Sequence, residues 1–125
     1  MVIITERNAD ASSEELLEMS ALKKSMSGLP VNLYLDDTGS YKKSKHWKRI
    51  KFQADHGDRT NHGNLVTMTI SSNPQIYPPN IAIKLPSKEI EKVKKFVISN
   101  EKLLSDLADE KINIGDFLRQ MKMVR

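Results

Sequence analysis

The sequence predicts an α+β fold: an antiparallel sheet of about four strands, C-terminal helices packed on one of its faces, and an N-terminal helix. Two observations predict it. Up to residue 85, apolar and polar residues alternate at period two in several short runs. From residue 87 onward the apolar residues recur at the three-and-four spacing of a helix. The strands thus come first and the helices last, the pattern of an antiparallel sheet with helices packed on one face. A chain of 125 residues suits one domain, residues 1–125, and is long enough to bury a core without staples.

Residues 1–11 read either as a frayed end or as a short strand at Val2–Thr5. Residues 12–26 read as the N-terminal helix. Ser12 and Glu15 stand at the spacing of a capping box, and Leu16, Met19, Leu22 and Met26 repeat at helical spacing. Acidic Glu14, Glu15 and Glu18 come early and Lys23 and Lys24 late, as the helix dipole favours. Gly28 and Pro30 then end the run.

The sheet is expected within residues 31–85. In VNLYLD, Val31, Leu33 and Leu35 point inward and Asn32, Tyr34 and Asp36 outward. The second strand covers 47–54, with Ile50, Phe52 and Ala54 on one face and Trp47, Arg49, Lys51 and Gln53 on the other. DHGDRTNHGN is polar and glycine-bearing, a loop, and LVTMTI is the third strand. The proline-rich stretch 71–80 is a connection or a sheet edge, and IAIKL, 81–85, is the fourth strand. Helices fill 87–123: one opens at Ser87 with the stripe Ile90, Val93, Phe96 and Val97, and Asn100 breaks it. A second carries Leu103, Leu104 and Leu107, and a third follows Gly115 with Phe117, Leu118 and Met121. The expected core joins Leu33, Leu35, Ile50, Phe52, Val66 or Leu65, Ile81, Ile83 and the apolar positions of the first two C-terminal helices.

Composition narrows the function classes. No Cys is present, which excludes disulfides and thiolate metal sites and suits a reducing compartment. No apolar run reaches the length of a membrane span, and MVIITERNAD lacks the pattern of a secretory signal, so a cytoplasmic location with no membrane partner is expected. The net charge of +4 is uneven: residues 41–62 hold seven bases against two acids, whereas residues 1–40 hold three bases against seven. A basic segment of this kind either meets an anionic partner or solvates a surface hairpin.

The stretch SYKKSKHWKRIKFQADHGDRTNH also holds the one Trp and all three His. Lysine and arginine displace counterions from phosphates, and an indole stacks on a base. Lys42, Lys43, Lys45, Trp47, Arg49 and Lys51 are therefore the candidate nucleic-acid-binding residues, for DNA or RNA. The opposing reading makes the cations edge protection and Trp47 a packing residue. About four phosphate contacts in this set would give log K against log salt a slope near −3 to −4. No RNP box, KH loop or zinc-finger spacing accompanies them.

His46, His56 and His62, with Asp55 and Asp58, offer imidazoles and carboxylates for a metal or for acid–base nuclease chemistry. Their spacing matches no ligand motif, so no metal and no cofactor is expected. Nor does the chain carry a Walker loop or a GxSxG elbow. The leading expectation is a small non-enzymatic binding protein whose basic hairpin meets an anionic partner, nucleic acid first. A protein–protein module or homodimer using its helices comes second, and a His-dependent nuclease third.

The run NLYLDDTGSYKKSKHWKRIKFQ, followed by KEIEKVKKFVISNEKLLSDLADEKI, resembles a group of short uncharacterised bacterial proteins with a basic K..H.KRIKFQ strand and an FV..N...L..LAD helix. The resemblance covers residues 32–112 through Asp36, Gly39, Lys43, His46, Lys48 to Gln53 and Phe96 to Asp109. The C-terminal half is also distantly similar to a domain of unknown function encoded near toxin–antitoxin genes, whose Pro-Pro-His-Phe-His motif this sequence lacks. The resemblance implies a mobile-element accessory setting and supplies no activity, cofactor or catalytic residue.

Overall fold

The computed structural model describes residues 19–43, 47–56, 65–77, 79 and 81–123. Its sheet has five antiparallel strands in sequential order: β1 Met19–Leu22, β2 Leu33–Asp36, β3 Arg49–Gln53, β4 Leu65–Thr69 and β5 Ile76–Tyr77. Two short helical turns interrupt it, α1 Lys24–Ser27 and α2 Ser40–Lys43. Three helices follow: α3 Ser87–Ser99, α4 Glu101–Ala108 and α5 Ile114–Gln120. The α+β class and the strand-then-helix order stand as the sequence predicts.

The register explains the core. Leu22, Leu33, Phe52 and Val66 lie side by side across β1 to β4, and Leu35, Ile50, Met68 and Ile76 form the next row. Both rows share one face, since the side-chain period is two. The C-terminal helices cover that face with Val93, Phe96, Val97, Leu104, Leu107 and Phe117, all in one buried cluster with the strand residues. Of the helices, α4 packs on β2 and also touches α3 and α5. Ile81, Ile83, Ile90 and Leu103 are only partly buried against this core, and Leu22, Leu29, Val31, Met68 and Phe117 add to it beyond the expected set.

Two expectations are corrected. The helix over 12–26 does not hold: residues 12–18, like the possible strand at Val2–Thr5, lie outside the described residues, and Met19–Leu22 is the edge strand β1. Met19 pairs with Asp36 and Leu22 with Leu33, so the two apolar residues point to opposite faces and both are buried. An i, i+3 apolar pair therefore arises here from a strand buried on both faces rather than from a helix. The sheet also has five strands rather than about four. IAIKL alternates in burial but forms no strand; its Lys84 N–H donates to the carbonyl of Ala54, just past β3, at 2.7 Å. Ile76–Tyr77, inside the proline-rich stretch, is the true edge.

The loop after β2 is built by Asp36. Its carboxylate accepts the backbone N–H groups of Thr38, Ser40 and Tyr41 at 3.1, 3.0 and 2.9 Å, starting α2. Gly39 turns the chain at φ 74°, and a Cβ there would meet the Glu110 carboxylate at 3.2 Å, so glycine serves both the backbone and the close approach to the end of α4. At that end Lys111 donates to the Asp106 carbonyl and Glu110 to that of Leu107, while Glu110 takes φ 61°. This is the paired-bond stop of a Schellman turn, with Glu in the position usually given to Gly. It places Asp109 opposite α2.

Candidate nucleic-acid interface

The six predicted contact residues part company in the structure. Lys42 and Lys43 are exposed on α2. Lys45 lies outside the described residues. Trp47 precedes β3 and is 63% exposed. Arg49 is 1% exposed, its guanidinium 3.1 Å from the Asp36 carboxylate. Lys51 is half-buried and donates to Thr67 at 3.1 Å. The alternation correctly puts Arg49 and Lys51 on the face opposite Ile50 and Phe52. That face is not solvated, however: Tyr34, Asp36 and Gln53 on it are buried as well. Arg49 is thus part of the scaffold, and the expectation that its side chain is solvated is corrected, whereas Lys51 keeps part of its surface exposed.

What remains exposed is a tighter group. The rings of Trp47 and Tyr77 stack with centroids 5.1 Å apart and planes 25° apart, an offset arrangement. The β4–β5 hairpin delivers Tyr77: Thr67 faces it across the ladder, and Gln75 closes the turn by donating to the Thr69 hydroxyl at 2.9 Å. The stack stands at one end of the sheet, on an open cleft of about 540 Å³ that Tyr41, Lys48 and Thr69 to Ser71 also line. Nothing local in the sequence around Tyr77 or Lys48 points to this site. Only the hairpin and the helix packing bring them there.

Lys48 is held by α4. Its ammonium donates to the Ser105 hydroxyl at 2.8 Å and to the Asp109 carboxylate, which also accepts the Tyr41 hydroxyl at 2.6 Å. The ammoniums of Lys42 and Lys48 each lie 5.8 Å from the Tyr41 ring centroid, within cation–π range. The Lys48 and Tyr41 donors hold the Asp109 carboxyl below its ordinary value, against the opposing effect of burial. The bond to Asp109 raises the Tyr41 hydroxyl above its ordinary value, because losing the proton would set two anions together.

A pH dependence follows with a definite sign. The lowered Asp109 contributes stability above its unfolded value of 3.8 and loses it as pH falls through the still lower folded value. The raised Tyr41 contributes below 10.0 and loses it as pH rises through its higher folded value. The stability advantage of the natural protein over Asp109→Asn is therefore expected to be flat through neutral pH and to shrink at both extremes. Melting curves of the two proteins across pH check this, and an unchanged difference at acid pH would contradict it.

Of the three histidines only His56 is among the described residues. His46 and His62 lie outside them, and the exposed His56 sits with Nε2 2.5 Å from Glu89 at the start of α3. Among the described residues no group of three His, Asp or Glu is placed to hold a metal, and no helix is long and apolar enough to cross a membrane. No family model matches the chain, nor does any curated protein or solved structure.

Proposed function

We propose that the protein is a small non-enzymatic binding protein that contacts nucleic acid through Trp47, Tyr77 and the cations of α2. The observation that carries this reading is the exposed Trp47–Tyr77 stack on a cleft that Lys48 and Tyr41 also line, with Lys42 over the Tyr41 ring. A chain with one Trp that leaves it 63% exposed uses that indole for something other than its core. Aromatic faces next to lysines suit bases next to phosphates, since stacking tolerates any base and cations release counterions. An exposed aromatic pair also suits a protein partner. The excess of seven bases over two acids in residues 41–62 favours the polyanion.

Salt dependence separates the two. With Arg49 inside the scaffold and Lys51 half-buried, the reading assigns phosphate contact to two or three lysines of residues 42–45, so log K should fall against log salt with a slope of roughly −1.5 to −2.5. That is shallower than the slope near −3 to −4 that about four contacts would give. Anisotropy of labelled DNA and RNA, single- and double-stranded, measures it. Lys42→Glu with Lys43→Glu should weaken binding and flatten the slope. Absence of association at low salt with every strand type would sink the proposal, and salt-insensitive self-association would put the protein–protein module in its place.

A further inference from the structure

Resting on that reading and narrowing it, we infer that the partner is a single strand, one of whose unpaired bases seats in the cleft beside Trp47 and Tyr77. The cleft's volume of about 540 Å³ falls in the range of small-molecule sites, and it is open on one side, as a base still attached to its strand requires. Its aromatic wall is already assembled: Tyr77 backs the indole at 5.1 Å, so Trp47 is held with the rest of its surface toward solvent. A second ring, Tyr41, lines the same cleft and is fixed through its hydroxyl to Asp109.

Lys48 supplies the polar contact. Of its three N–H donors, two go to Ser105 and Asp109, leaving one for an acceptor in the cleft it lines. Because α4 holds the ammonium in place before any ligand arrives, little side-chain freedom is lost on binding. Lys42 stands over the Tyr41 ring at 5.8 Å and is placed to meet the phosphate of a nucleotide whose base lies inside. The exposed Lys43 beside it extends the positive surface along α2, which a strand uses and a free nucleotide does not. A base inside a duplex is stacked and paired on both sides and reaches such a seat only after being unstacked at a cost of a few kcal/mol. The site therefore discriminates against duplexes.

The emission of the single Trp reports on the site directly. The natural protein is titrated with a 12-nucleotide single strand, with the duplex of the same sequence, and with a mononucleotide. Quenching of Trp47 by the single strand, with at least about tenfold weaker binding of the duplex and of the mononucleotide, is the expected result. Tyr77→Ala, which keeps the reporter, should weaken single-strand binding roughly 5- to 150-fold, and Tyr77→Phe should restore it. Circular dichroism of both variants shows whether the fold is kept. Equal binding of single strand and duplex with unchanged Trp47 emission would overturn the base seat and leave the electrostatic reading standing. A mononucleotide as tight as the 12-mer would overturn the strand. No binding of any of the three would remove the nucleic-acid reading with it.

Discussion

Asp36→Ala is expected to lower stability by about 3–5 kcal/mol, the cost of breaking a buried ion pair by removing one partner. The Asp36 and Arg49 side chains are 0% and 2% exposed and meet at 3.1 Å. Truncation leaves a guanidinium inside the protein without its carboxylate, and it also strips the acceptor from the N–H groups of Thr38, Ser40 and Tyr41. Arg49→Met removes the other partner and should cost less, because Asp36 keeps three backbone donors for its charge. Urea denaturation of the two variants tests both the size and the order. A loss under about 1 kcal/mol for Asp36→Ala is the range of surface positions and would contradict the buried pair. Because Asp36 also seats α2, the same variant should weaken any function that depends on Tyr41 and Lys42.

Phe52→Ala is expected to cost about 3–5 kcal/mol, as truncation of a buried aromatic does. Phe52 is 0% exposed and sits between Leu33 and Val66 in the row under the helices. Its removal opens a cavity that strand neighbours on two sides cannot close, since their register is set by the ladder. A conservative Phe52→Leu should recover most of the loss. A drop below about 1 kcal/mol for the alanine variant would take Phe52 out of the core.

Phe52 and Arg49 show what the sequence made legible and what it hid. Alternation at period two located β2, β3 and β4 and assigned Ile50 and Phe52 to the core face, because a strand's side chains have only two directions. Helical spacing and Asn100 located both ends of α3 and the start of α4 to within a residue. Alternation says which face a residue takes and not what lies over that face, so Arg49 read as solvated when it is buried. Met19 and Leu22 show the same gap from the other side: a strand buried on both faces imitates helical spacing, and only its pairing with β2 tells the two apart. Ile81 and Ile83 alternate like a strand in a segment that finds no strand neighbour.

At the site, Lys42, Lys43 and Trp47 were legible as cations beside an indole. Tyr77 was not, because it reaches Trp47 through the β4–β5 hairpin across a separation that no local pattern records. Lys48 and Asp109 are likewise joined by the packing of α4 against the sheet, and Glu110 in a left-handed turn is what stops the helix there. The cleft is therefore a property of the fold, whereas the charge around it is a property of the chain.

The most direct test of the nucleic-acid claim is a heteronuclear NMR titration of the labelled protein with a short single-stranded oligonucleotide at low salt. The one indole N–H resonance of Trp47 is expected to shift first, together with the amides of residues 41–43, 47–48, 69–71 and 77, while α5 stays unperturbed. A spectrum that does not change, or changes confined to α5 and the outer face of α3, would contradict it.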